Sequence, residues 1–535
     1  MKIQISEKHF IAAIIFVISI LYFQSNFHQL IFLDDDTLVL NEFTGLNLSE
    51  RLTFSFTSNY LGGHYYRPIA LFTFVIDSLT GGQSYFSYHF TNFLIHLLTS
   101  VFIFIVIRKL DYSPLTSFLS ALLFSMTPIQ INAVGWIAGR GDLLAAFFSV
   151  SALIIFLIFL KNSKTPLLIF VTILLFLAIL SKEVALLVPF LFLILFFAER
   201  KEFLLNKDSV SVLLVIFIVL CSYYLLRILF LTDVHVDKFS FTAYYKNILI
   251  LPETISKFFL PTGIRALPKL EIFTSLSGIL LFLIFLLLPL KIKSINRLRY
   301  YFGFFWFVVL LIPGMVNRTM EQDGVYYWDC RSYLPLVGVL FIISEIVSVI
   351  ELKVHSNRYY ILIAVYLLIL GTSTFIKVHL YENPVTYWNS VKTDYPSNFL
   401  PYVGLYNYYN HSKDFEMAEF QLLEAIEINP NDLGSRQILN NFYLSHNKKQ
   451  KAFLLIRDGL YKKIQGMDGL LYNYVLLCTE LNHLDAIDTL ITNYSEDNKM
   501  ELKLKEVITR NADALKEKGD SLKADLLIEK VRQIN

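Results

Sequence analysis

Uncharged stretches long enough to cross a lipid bilayer recur through the first 380 or so residues. From His9 to Phe32 no side chain is charged, and about 20 apolar residues in a helix span a hydrocarbon core of ~30 Å. Ten further apolar runs follow, near 88–107, 115–133, 142–160, 166–180, 184–198, 209–231, 273–290, 300–314, 333–350 and 359–377. Lipid offers the backbone no hydrogen bonds, so such runs must satisfy their own as helices. The predicted fold is therefore all-α, a polytopic bundle of about eleven spans. Runs 166–180 and 184–198 are short and flank Ser181-Lys182-Glu183, which reads as a tight hairpin or as one long broken helix. With 55% hydrophobic and 17% charged residues, the chain is too apolar for a soluble protein of its length. A net charge of +2 and the lack of zinc-finger, P-loop or dinucleotide fingerprints point away from nucleic acid and nucleotide chemistry. Cys221, Cys330 and Cys478 lie far apart and imply no disulfide or metal pattern. The first run is too long for a cleavable leader.

Alternate loops differ in charge. One set collects fifteen basic residues, among them Lys2, Lys8, Arg108, Lys109, Lys161, Lys201, Arg297 and Arg299, the bias of a cytoplasmic face. The amino terminus is thus expected inside, and everything after about residue 378 outside, in the periplasm of a bacterial inner membrane or its equivalent. The same reading puts Asp34-Asp35-Asp36, Gly139-Arg140-Gly141-Asp142, Ser181-Lys182-Glu183 and the loop with Arg331 on that outer face. Acids at the mouth of a bundle are costly unless they meet water or a ligand, which marks Asp34–Asp36 as a candidate site.

The predicted division is a membrane domain over 1–378, with a first external loop at about 32–87, and a soluble domain over 379–535. In the latter, Tyr395-Pro396-Ser397-Asn398 and Asn429-Pro430-Asn431-Asp432 stand 34 residues apart, each followed by a helix, a polar break and an alanine-bearing helix. That period is the tetratricopeptide pattern, about four helix pairs stacked as an α-solenoid; a generic helical bundle is the alternative.

In the first external loop, Gly62-Gly63-His64-Tyr65-Tyr66-Arg67-Pro68 suits a segment lying over the bundle. In the second span, His89, Asn92 and His96 share one helical face, for packing, substrate contact or metal ligation. Arg227 lies within an apolar span near its outer end, where it either snorkels to the interface or holds an anion.

Six motifs in order carry a resemblance to a known family: Leu33-Asp34-Asp35-Asp36; Tyr66-Arg67-Pro68-Ile69; Tyr88-His89-Phe90-Thr91-Asn92 with His96; Trp136-Ile137-Ala138-Gly139-Arg140-Gly141-Asp142; Ser181-Lys182-Glu183; and Arg331-Ser332-Tyr333-Leu334-Pro335. Together they resemble the TMTC-like GT-C glycosyltransferases, membrane proteins with trailing tetratricopeptide repeats that are related to protein O-mannosyltransferases. The resemblance implies transfer of a sugar from a polyprenyl-phosphate carrier to an extracytoplasmic protein or glycan. Asp34 or Asp35 would be the base that takes the acceptor hydroxyl's proton, with Asp36 ranked behind them. Arg140, Lys182, Arg227 and Arg331 would meet the phosphate charge, although Lys182 and Glu183 could instead pair with each other. Arg67, Asp142, Glu183 and Tyr333 join His89 and His96 as candidate substrate contacts. A divalent metal at the aspartates is left open, and no other cofactor is implied. The resemblance departs at Thr127-Pro128-Ile129-Gln130-Ile131-Asn132, where the family has His-Pro-x-His-x-Glu, so altered substrate choice or lost turnover is also open. The competing classes are a non-catalytic membrane scaffold for the repeat domain and a lipid-linked sugar transporter; the latter would scatter ionisable groups through the midplane. Expected partners are membrane lipid, the donor and the acceptor, without nucleic acid.

Overall fold

A computed structural model describes residues 6–61, 65–81, 85–200, 206–231, 244–245, 247–316, 327–353, 357–495, 497–532 and 534. Gly62, Gly63, His64, Lys2 and Lys201 lie outside these. The described residues are helical apart from turns, loops and one isolated bridge between Tyr60 and Tyr65. They form two compact units, Met1–Val391 and Lys392–Asn535.

In the first unit every apolar run is a helix: α1 Glu7–Tyr22, α4 Phe86–Lys109, α5 Pro114–Met126, α7 Arg140–Asn162, α8 Leu167–Ser181, α9 Val188–Arg200, α10 Lys207–Phe230, α12 Ile272–Lys291, α13 Arg297–Leu311, α14 Tyr333–Lys353 and α15 Asn357–Lys377, with the shorter α6 Ile131–Gly135 and α11 Ile250–Phe259 between them. Eight helical segments among the described residues are long and apolar enough to cross a bilayer. The chain is an integral membrane protein. A ninth candidate is broken at Thr127, where α5 meets Pro128–Gly135 at a bend of 51°. Proline lacks an N–H and crowds the preceding turn, which fixes the break. Between α8 and α9 the extended Lys182 (φ −162°, ψ 138°) interrupts the helix, and both halves pack on α7 and α10. The segments Asp329–Glu351, Ile137–Asn162 and Phe86–Lys109 are 72%, 67% and 61% buried, against 28% for Lys207–Phe230 and Ile272–Lys291. The first three are the centre of the bundle and the others its rim. Close packing at the centre depends on small residues: a Cβ on Gly303 of α13 would strike the Gly338 carbonyl of α14, and one on Gly338 would strike that of Gly303.

The loop after α1 holds α2 Leu48–Thr57, started by an Asn47/Glu50 capping box, and α3 Pro68–Gly81. The latter is an apolar helix of 14 residues that packs against α4, α7 and α8. Part of the loop is thus built into the bundle. Past α15, a turn at Val378–Tyr381 and helix α16 Pro384–Asp394 follow. Val378, Tyr381, Tyr387 and Trp388 are buried with the membrane unit, and the boundary between units falls at Val391/Lys392, later than the 378/379 expected from composition.

The described residues of the second unit contain four helix pairs: Leu400–His411 with Phe415–Ile428, Leu433–Ser445 with Lys449–Tyr461, Leu471–Glu480 with Asp485–Asn493, and Asn498–Glu517 with Ser521–Arg532. Each turns through one residue in the left-handed conformation: Lys413, Asn447, Asn482 and Gly519. Leu439, Phe442, Ala452, Ile456, Tyr474, Ile487, Leu504 and Leu527 belong to one continuous core.

Candidate active site

The turn from Ile31 to Asp36 follows the first span. Phe32 and Asp34 both adopt positive φ, 58° and 64°, a conformation that costs ~1–2 kcal/mol for a residue with a Cβ. Asp35 holds it: its buried carboxylate accepts from the backbone N–H of Ile31 (2.7 Å), Leu33 (2.8 Å) and Asp36 (3.1 Å). Burial pushes the Asp35 carboxyl up to about 7, against the pull of those three donors. Two indoles brace the other side, Trp136 Nε1 donating to the Leu33 carbonyl (2.8 Å) and Trp388 Nε1 to that of Ile31 (2.7 Å).

The turn delivers Asp34 to a cavity of about 350 Å³, within the size range of small-ligand sites. Burial, followed by the charge of Asp36, raises the proton affinity of Asp34. Also lining the cavity are Asp142, Lys182, Glu183, Arg67 and Arg331, with an aromatic wall of Tyr60, Tyr65, Trp136 and Trp328. Loops far apart in sequence thus meet at one end of the bundle. Lys182 and Glu183 do not pair with each other. Lys182 Nζ reaches Asp142 (2.5 Å), whereas Glu183 is held by Arg67 (2.8 Å), which also lies over the Tyr65 ring. The extended backbone at Lys182 sends adjacent side chains in opposite directions. Arg331 donates to the Gly314 carbonyl (3.1 Å). Among the described residues, three acids and three cations line the space, a balanced set.

Other candidates lie away from it. Arg140 is fully buried: it pairs with Asp77 of α3, donates to Asn92 Oδ1 (2.8 Å) and the Tyr88 carbonyl of α4, and stacks on Phe74. It staples α3 and α4 to the start of α7 and does not line the cavity. His96 Nδ1 meets the Tyr333 hydroxyl at 2.7 Å, tying α4 to α14, and His89 is buried 6.0 Å from the His28 ring. Neither histidine lines the cavity, nor do Tyr333, Asp36 and Arg227; Arg227 lies 3.4 Å from the Tyr223 hydroxyl. Among the described residues no three His, Cys, Asp or Glu side chains gather as a metal site. In the departing segment, Thr127 donates to the Phe258 carbonyl, and Asn132 bridges the Tyr381 hydroxyl and the Cys330 N–H. These neutral side chains are bonded into the framework. Sequence reasoning missed Tyr60, Trp328 and Asp77 as parts of the site or its support. An acid in an apolar helix was the available signal for Asp77.

The stretch from the start of α3 into α10 matches a known family profile, dolichyl-phosphate-mannose-protein mannosyltransferase, over residues 68–226. Over that segment the chain is similar to the protein O-mannosyltransferases. Human protein O-mannosyl-transferase TMTC3 is 32% identical over 130 residues, 24% of this chain and 13% of that protein. Human TMTC4 is 36% identical over 97 residues, 16% and 13% of the two. The chain therefore spans about an eighth of the length of these relatives. Of solved structures, ArnT from Cupriavidus metallidurans aligns with 70% of this chain and 74% of its own, at 15% identity and a TM-score of 0.41. The Archaeoglobus fulgidus oligosaccharyltransferase aligns with 70% and 55%, at 15% identity and 0.37. The mannosyltransferase-like segment includes Asp142, Lys182 and Glu183, begins one residue after Arg67, and excludes Asp34 and Arg331.

Proposed function

We propose that this protein is an integral membrane glycosyltransferase that moves a monosaccharide from a polyprenyl-phosphate carrier to a hydroxyl of an extracytoplasmic protein or glycan. The observation that carries this reading is one cavity in which a carboxylate of raised proton affinity, Asp34, shares the space with Lys182, Arg67 and Arg331. The acceptor oxygen forms a bond to the anomeric carbon as its proton passes to Asp34. The bond from that carbon to the carrier phosphate oxygen breaks, and the phosphate leaves with the electron pair. A positioned base is worth ~10²–10⁴-fold in such a step. Lys182 and Arg331 meet the charge that grows on the leaving phosphate. Asp35 holds the turn and Asp34 does the chemistry, which divides a role the sequence left between two residues. The aromatic wall gives the apolar faces of sugar and acceptor a surface to lie on.

The four helix pairs of the second unit read as tetratricopeptide-type repeats, whose stacked pairs offer a concave surface for the acceptor or an assembly partner. Charge bias supports an amino terminus in the cytoplasm, with the cavity and second unit in the periplasm of a bacterial inner membrane. The test is transfer from a panel of radiolabelled polyprenyl-phosphate sugars in membranes carrying wild type, Asp34→Asn or Lys182→Ala, with and without EDTA. Transfer by wild type that is lost in Asp34→Asn supports the reading, and the EDTA arm decides metal dependence. Transfer untouched by Asp34→Asn overturns the base, and no transfer with any donor favours a scaffold.

A further inference from the structure

The indole of Trp388 is buried and does not line the cavity, yet it ends on the turn that delivers Asp34. Its Nε1 donates to the Ile31 carbonyl at 2.7 Å, while the Ile31 N–H is taken by Asp35. Two residues before Ile31, the Gln29 N–H donates to the Glu382 carbonyl at 2.9 Å. The neighbouring Tyr387 lies edge-on to Trp388 at 4.9 Å, and its hydroxyl donates to the Ala266 carbonyl at 3.1 Å. Helix α16 is therefore pinned to two other segments of the membrane unit, and its indole reaches the turn from a fixed place. The turn needs such support, because Phe32 and Asp34 both hold positive φ, which a residue with a Cβ leaves unless its surroundings hold it there. A relaxed Asp34 would swing its carboxylate out of the cavity.

We infer that Trp388 is a positioning residue for Asp34, acting through the Ile31 carbonyl, some 350 positions away in sequence from the group it aims. The inference rests on the proposed transfer reaction. It assigns α16, which follows the last span, a part in setting the geometry of the base. A packing role alone would need only the shape of the ring; a positioning role needs the N–H.

The test replaces Trp388 with Phe and, by suppression of a nonsense codon, with 3-benzothienylalanine, which keeps the bicyclic shape and lacks the donor. Expected for the benzothienyl protein are a kcat lowered tenfold or more, a KM for the donor within about twofold, and an acidic limb of the pH–rate profile displaced toward the ordinary carboxylate range as Asp34 gains water. Hydrogen–deuterium exchange over 28–38 should accelerate in the same protein, a readout independent of activity, and the unfolding temperature in detergent reports folding. If Trp388→Phe fails to fold, the isostere decides. Wild-type transfer with an isostere unchanged in kcat, pH limb and exchange overturns the role of Trp388 alone. Wild type inactive with every donor overturns the transfer reading, and unchanged exchange in the isostere then removes the clamp as well.

Discussion

Asp34 and Asp35 are chemically identical neighbours with opposite fates, and the backbone decides between them. The left-handed Asp34 is turned toward the cavity, whereas Asp35 spends its oxygens on three backbone N–H groups. Asp34→Asn is expected to lower kcat/KM by ~10²–10⁴-fold with little change in unfolding temperature. Asp35→Asn loses charged hydrogen bonds, each worth ~1.5–3 kcal/mol, and should show chiefly as a lower unfolding temperature in detergent. Only ionised Asp34 accepts a proton, and its proton affinity is raised by burial and Asp36, so kcat/KM should fall as pH drops through a pKa above the usual ~3.9. An acidic limb at or below that value in a pH–rate series would contradict this environment. The cluster itself was legible in the sequence, because three carboxylates at the end of an apolar run have few bland explanations. The choice between them was not, because it turns on two φ angles and on an indole from the far end of the membrane unit.

At the scale of elements, every apolar run became a helix, since lipid leaves the backbone no other partner. What periodicity could not show was α3, an apolar helix of 14 residues too short to stand out in an aromatic loop. It matters because Asp77 on α3 meets Arg140 on α7, with Asn92 and Tyr88 of α4 accepting from its Nε and Nη2. Arg140 was legible as a motif residue, and its motif sits beside the cavity; its side chain turns inward, where a buried pair compensates its charge. Arg140→Met strands Asp77 and should cost ~3–5 kcal/mol, measured as reduced unfolding temperature, with partial recovery on adding Asp77→Leu. Transfer per folded molecule should change far less than in Lys182→Ala. The pairing of Lys182 and Glu183 was equally hidden. Adjacent opposite charges suggest a local pair, and only the extended backbone between α8 and α9 sends one to Asp142 and the other to Arg67.

The whole molecule divides into two units with separate cores. A chain ending after Asp394, the end of α16, should run as a single species in detergent and keep transfer to a short soluble acceptor, while transfer to large protein acceptors falls; aggregation of the truncated chain would show that the membrane unit does not fold alone. The composition break near residue 380 made the division legible, and its displacement to Val391/Lys392 reflects α16, too polar to read as part of a bundle yet buried in it through Tyr387 and Trp388. The balance of charge among the described residues of the cavity also shapes how the protein would respond to the proposed donor. With Asp34, Asp142 and Glu183 offset by Arg67, Lys182 and Arg331, an arriving phosphodiester tips the compartment negative. Each added negative charge nearby makes a carboxylate hold its proton more tightly. Donor binding would thereby strengthen the base it is about to need, so the acidic limb of kcat, which reports the loaded protein, should lie at higher pH than that of kcat/KM, which reports the empty one.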